Sequence, residues 1–307
     1  MRERNRDAEE AATRLAETIA ALAEKRAELR AIASPPIPIR VRARRNSTYR
    51  LDTKVGSFVL RVPPRRAIPF VDYSTEIEAA MLASKLGIGP ELVHAERNGV
   101  MLTRWSGALP LSSERIRSEP QVIRRVGATL RRLHRSARLL SRRFEVFAMI
   151  DSYRRSYLSS ARGRDPWSPR LQSVIETARE KLLKSPAPLV PSHCDLVPAN
   201  CLDDGSRTLL VDWEYAGMND PAWDLAYFAL ESALDSSQQE VFLRSYDDDA
   251  VSPERVQVFG LLCAALNHMW GLSRPEADAN AEWIARQLGI AESVGADERL
   301  EGWLAGL

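Results

Sequence analysis

Apolar positions return on a helical period through the first thirty-three residues, where Ala8, Ala12, Leu15, Ile19, Leu22, Leu29 and Ala33 fall on one seam. That period predicts a single helix over 1–33, broken on its seam by Arg26 and ended by the run Ser34-Pro-Pro-Ile-Pro. Such a seam either pairs with a second copy, giving a homodimer, or packs on its own domain. From Ile37 the pattern shifts to short strands. IPIRVRAR, STYRLDT and SFVLRV read as three of them, the last two joined by a turn at Lys54-Val55-Gly56. A helix over about 72–86, stopped by Gly87, precedes two more strands, ELVHAE and VMLTRW, around Asn98-Gly99. Beyond residue 104 helices are predicted near 121–138, 145–160, 168–184, 221–234, 252–273 and 276–290.

These segments divide the chain into an N-terminal helical extension (1–33), a small sheet with one helix (34–103) and a larger, mainly helical lobe (104–307). The fold class is therefore α+β, with two lobes. A length of 307 residues with 45% hydrophobic content can bury a core in both. Charge narrows the partners: 43 basic against 41 acidic residues leave a net +2, so no global field recruits nucleic acid, and Arg124 to Arg143 reads as a solvated helix face. The longest uncharged run, Val256 to Ser273, carries Gln257, Asn267 and His268 and reads as a buried core helix, not a membrane span. Cys194, Cys201 and Cys263 have neither metal-site spacing nor an even count, and the first residues lack a secretory apolar segment. A cytoplasmic location is expected.

The chemistry is concentrated in His193-Cys-Asp195-Leu-Val-Pro-Ala-Asn200, followed by Asp212-Trp-Glu214. Cys201-Leu-Asp and Thr208-Leu-Leu-Val are strand-like, and Asp203-Asp-Gly-Ser between them is a turn signal, so a hairpin is predicted. A turn near Gly205 and Ser206 makes Val211 the partner of Asn200 and brings Asp212 beside it. In an extended segment Asp212 and Glu214 leave the same face. Two carboxylates and an amide oxygen then suit a magnesium ion that takes its remaining ligands from water and nucleotide phosphates. Phosphoryl transfer also needs a carboxylate at the acceptor hydroxyl, and Asp195 fits that task.

The stretch from His193 to Ala226, HCDLVPANCLDDGSRTLLVDWEYAGMNDPAWDLA, resembles the catalytic segment of the choline/ethanolamine kinase family, within the aminoglycoside-phosphotransferase-like, protein-kinase-like superfamily. The resemblance extends over roughly residues 37 to 275. It implies a bilobal protein-kinase-like fold with ATP in the cleft, Asp195 as catalytic base, Asn200 and Asp212 as Mg2+ ligands, and Glu214 in support. His193 is then a loop-organising residue, and Asp224 caps the following helix and braces the loop. Arg61, on the third strand, is the expected phosphate-binding cation, held by an ion pair with Glu76. Tyr215, Glu231 and Trp270 align with positions lining an amino-alcohol pocket, where aromatic faces and a carboxylate hold a cation.

One region departs from the family pattern. Where a Gly-Gly-x-[Ser/Thr]-Asn loop covers the phosphates, this chain reads Arg42-Ala-Arg-Arg-Asn46; Asn46 is kept, both glycines are gone, and Pro63-Pro64 occupies a second glycine position. Loss of the glycines either weakens nucleotide binding or leaves the phosphate contacts to Arg44 and Arg45. Ser273 replaces a second pocket tryptophan, which shifts weight from choline towards ethanolamine or other amino alcohols. Two further functions fit the same residues: an aminoglycoside-type antibiotic phosphotransferase, and a pseudokinase-like binding protein that has lost catalysis with its glycine loop.

Overall fold

The computed structural model describes residues 2–39, 46–64, 69–160, 164–247, 251–274 and 277–305. α1 (Arg2–Lys25) is shorter than its period predicts. Arg26 is extended (φ −129°, ψ 103°) and a 3-10 turn over Ala27–Ala31 follows, so the seam bends at the residue that interrupts it. Leu22 and Leu29 are buried, and Leu15 and Ile19 partly so, against Leu51, Phe58, Leu60 and Leu102 of the sheet below. The seam therefore packs on its own lobe.

That sheet is antiparallel, in the order β1-β2-β3-β5-β4, from β1 (Ile37–Ile39), β2 (Ser47–Thr53), β3 (Gly56–Val62), β4 (Leu92–Ala95) and β5 (Met101–Arg104). β2 and β3 pair from Ser47↔Val62 to Thr53↔Gly56 around the expected turn. Of the first predicted strand, residues 37–39 form β1; residues 40–45, with Arg44 and Arg45, lie outside the described residues. α2 (Tyr73–Leu86) starts where Asp72 accepts the Ser74 amide and stops where Gly87 takes φ 65°, a conformation that glycine adopts at least cost.

The second lobe holds β6 (Leu109–Pro110), α3 (Ser113–Ser118), α4 (Pro120–His134), α5 (Val146–Leu158), α6 (Pro169–Lys184), β7 (Val190–Ser192), β8 (Cys201–Asp203), β9 (Thr208–Leu210) and β10 (Gly217–Asn219). It continues through α7 (Pro221–Ser232), α8 (Ser236–Tyr246), α9 (Pro253–Leu272), α10 (Ala281–Ala296) and α11 (Leu300–Ala305). α3, α8 and α11 were not predicted, and α10 begins later than expected. The uncharged run forms α9, whose Leu261, Leu262, Cys263, Ala264 and Ala265 are wholly buried. Among the described residues no helix is long and apolar enough to cross a membrane.

The lobes meet at the hairpin. Leu210 N donates to Ile88 O at 2.7 Å, and Glu78 of α2 accepts from Ser141 N (2.9 Å) and Ser141 Oγ (2.5 Å). The first bond joins the sheet-bearing half directly to the strand that leads into Asp212, and the Glu78 bonds join it to the segment between α4 and α5.

Candidate active site

Asp224 organises the loop before the hairpin. Its carboxylate accepts from His193 N (2.7 Å) and Cys194 N (2.8 Å) and pairs with His134 Nε2 (3.1 Å), whose other ring nitrogen meets the Tyr246 hydroxyl. Burial alone would raise Asp224; the His134 contact and the loop amide bring it below the usual carboxylate range. Cys194 takes φ 65°, rare for a non-glycine, and the two amides on Asp224 hold it there. The helix cap expected of Asp224 belongs to Asp220, which accepts the Ala222 amide; the bracing of the loop is its task.

His193 is wholly buried. Its Nε2 bonds the Val211 carbonyl at 2.9 Å, so that nitrogen carries the proton, and its Nδ1 accepts from Asp195 N at 3.3 Å. With both nitrogens engaged in backbone bonds, it ties the loop to the hairpin. Asn200 ends a 3-10 turn and donates from Nδ2 to Asp195 O at 2.9 Å, leaving its amide oxygen as the remaining acceptor.

The hairpin closes in the expected register, Cys201↔Leu210 to Asp203↔Thr208, and Val211 N donates to Asn200 O at 3.0 Å. Asp203, buried at the turn, pairs with Arg125 (2.8 Å) and Arg115 (2.9 Å), which fixes the far end. Beyond Val211 the segment is not extended: Asp212 takes φ 66° and a turn begins at Glu214. The shared face expected for the two carboxylates is replaced by a bend, yet both reach one cation. Arg61 Nη2 lies 3.6 Å from Asp212 Oδ1 and 3.8 Å from Glu214 Oε2, while Arg61 Nη1 meets Glu76 Oε1 at 2.5 Å. Burial works against the Arg61 charge, and the surrounding carboxylates restore it above its ordinary value; burial pushes Glu76 up to about 7 against the pull of Arg61.

Glu214 is also held by Asn46 Nδ2 at 3.2 Å, so it links the lobes. Among the described residues no three His, Cys, Asp or Glu side chains converge as a metal group of their own. Asn200 and Asp212 nonetheless fit a hard cation. Both offer oxygen, and Asp212 Oδ1 is buried with no hydrogen-bond partner among the described residues. Such an ion would complete its shell from water and phosphate.

Asp195 is half-buried and its negative charge reaches Tyr227 and Glu231 of α7. The Tyr227 hydroxyl donates to Asn267 Oδ1 at 3.0 Å and lies within hydrogen-bond reach of Asp195. Asn267 Nδ2 in turn donates to Glu231 Oε1 at 2.9 Å, joined there by Gln287 Nε2 at 3.2 Å and by a bond from Trp283. Burial, then the charge of Asp195, pushes Glu231 up to about 7. Trp270 packs edge-to-face with Trp283 (5.9 Å, 85°), and Tyr215 is buried in the main core next to Glu214.

The sequence matches the phosphotransferase enzyme family across residues 39–259, a span that holds the sheet, the loop and the hairpin. The chain belongs to that family. A choline/ethanolamine kinase family protein from Mesorhizobium loti superposes with a TM-score of 0.79 at 30% identity, covering 95% of this chain and 98% of that one. Protein LicA of Haemophilus influenzae is 28% identical over 209 residues, 66% of this chain and 76% of its own. The choline kinase LicA of Streptococcus pneumoniae shares the fold at TM-score 0.72 and 22% identity, over 89% of this chain and 99% of that one; LicA has also been solved in complex with AMP. The phosphotransferase is thus a small-molecule kinase with an alcohol group as acceptor.

Sequence reasoning missed Tyr227, Asn267, Trp283 and Gln287 of the phosphotransferase. One signal was present: Asn267 is a polar residue in an apolar helix, and a buried amide requires partners. It lies one turn from Trp270, on the same side of α9.

Proposed function

We propose that this chain is an ATP- and Mg2+-dependent kinase that phosphorylates the hydroxyl of a small cationic amino alcohol, choline or ethanolamine. The observation that carries the reading is the shared frame of Asp195 and Asn200. The Asn200 amide donates to the Asp195 carbonyl, and the Asn200 carbonyl fixes Val211 beside Asp212. A proton acceptor and two oxygen ligands therefore belong to one braced unit, as positioning catalysis requires.

Asp195 orients the acceptor hydroxyl and takes its proton as the oxygen bonds the γ-phosphorus and ADP departs. Asn200 and Asp212 would hold Mg2+, with Glu214 behind them, and the ion would offset charge on the phosphates. Arg61, kept in place by Glu76, presents a guanidinium to the nucleotide, and Asn46 steadies Glu214 from the sheet side. The AMP found in LicA supports nucleotide use in this cleft. Glu231 anchors the ammonium group, with Tyr215 and Trp270 supplying aromatic surface. Three buried free thiols and a need for ATP support a cytoplasmic setting.

The test is ADP release by the purified chain with ATP and Mg2+ against choline, ethanolamine and an aminoglycoside, with the product identified by phosphorus NMR. Amino-alcohol-dependent ADP release is expected. Release with the aminoglycoside alone would replace the substrate class, and release with none would overturn the reading.

A further inference from the structure

We propose that the acceptor alcohol carries an ammonium with at least one N–H bond, a primary, secondary or tertiary amine rather than a trimethylammonium, and that Gln287 of α10 makes the distinction. The inference rests on the kinase reading above and narrows its substrate.

Gln287 is wholly buried and its Nε2 donates to Glu231 Oε1, beside Asn267 Nδ2. The oxygen and nitrogen of an amide share one carbon, so Gln287 Oε1 lies close to the Glu231 carboxylate. That oxygen is buried and has no hydrogen-bond partner among the described residues. Buried acceptors are costly when unpaired, and a neutral amide oxygen needs a hydrogen-bond donor, not merely a positive charge. An ammonium with an N–H bond can donate to Gln287 Oε1 while its charge faces Glu231. A trimethylammonium offers only weakly polar C–H groups and leaves the amide oxygen unmatched.

The aromatic side points the same way. The Arg274 guanidinium stands 5.2 Å over the Trp270 ring, so one face of that ring already carries a resident cation. Its neighbour Trp283 packs edge-to-face with it and is engaged by Glu231. Ser273, at the second tryptophan position, bonds the Trp270 carbonyl at 2.7 Å and adds no aromatic face. A cage of π-faces for a quaternary cation is therefore incomplete, whereas the cluster of acceptors is intact. Burial and Asp195 push the carboxyl of Glu231 up, while Arg286 of α10 and the hydrogen bonds of Gln287 and Trp283 pull it back, so the carboxylate has partial charge compensation and an ammonium donor adds to it.

The deciding experiment measures kcat/KM for ethanolamine, N-methylethanolamine, N,N-dimethylethanolamine and choline, with Gln287→Met as a variant of similar size. For the wild type a fall of about tenfold or more is expected at the step to choline, because only the fourth carbon substituent removes the last N–H donor. Gln287→Met should shrink the ethanolamine-to-choline ratio by about tenfold, through a higher KM for ethanolamine. Choline used as well as ethanolamine by the wild type would overturn the inference and leave the kinase reading standing. Turnover of none of the four would overturn both. If the variant does not fold, the wild-type series decides alone.

Discussion

Glu231 sits among donors from Asn267, Gln287 and Trp283 and faces the charge of Arg286; burial followed by the Asp195 charge pushes it up to about 7 against the pull of Arg286. A cation binds the ionised form, so kcat/KM for the amino alcohol should rise as pH increases through about 7 and level off above it. A pH–rate profile checks this; a profile that falls through the same interval would contradict the assignment. His268 gives the opposite kind of readout, on stability. Its Nδ1 accepts from Trp167 Nε1 at 3.0 Å, and burial pushes it down to about 4. A folded pKa below the unfolded value, about 6.5, means that its contribution is complete above about 6.5 and is lost as pH falls towards 4. Thermal unfolding across that range should show the loss, and His268→Gln, which can still accept from Trp167, should flatten it. At this scale the placement of Asp195, Asn200 and Asp212 on one loop and hairpin was legible because it is local: a loop and a two-stranded turn set their spacing. Gln287 was not, because its meaning depends on α10 packing across α9 onto α7.

Helix contacts decide how firmly the loop is held. A Cβ at Gly127 of α4 would meet Ser245 Oγ at 1.9 Å and the Phe242 carbonyl at 3.0 Å, so α4 and α8 touch there through backbone. Gly127→Ala should push α8 away and loosen the Tyr246–His134–Asp224 chain, with a loss of about 1–3 kcal/mol by chemical denaturation and reduced turnover. Gly260 of α9 is the contrast, since a Cβ there meets nothing within 4 Å. Gly260→Ala should stabilise by about 0.5–1 kcal/mol through helix propensity and leave turnover unchanged. Equal effects from the two would contradict this packing. α8 escaped prediction because its apolar residues are few, although Asp235 and Gln238 form a capping box that the sequence displayed. α1 was overextended for the reverse reason: its period persists past Arg26, and the sheet it wraps, which turns the chain there, is invisible to a local pattern.

The two lobes are joined through charge. Arg61 and Glu76 from the sheet side meet Asp212 and Glu214 from the hairpin, and Asn46 closes the contact. Alternation followed by helical periodicity made the α+β, two-lobed architecture legible in the sequence, and the family resemblance its kinase-like form; the bonds between the lobes, such as Leu210 to Ile88, were not, because they join distant segments. Asp212→Asn keeps the shape and removes the charge, so Mg2+-dependent nucleotide binding by calorimetry should be abolished while the protein stays folded; unchanged binding would contradict the metal role. The central claim concerns the carboxylate that faces the acceptor, and steady-state turnover of Asp195→Asn tests it most directly. The account predicts a fall in kcat of about a hundredfold or more with Mg2+-ATP affinity retained. Turnover equal to that of the wild type would contradict it.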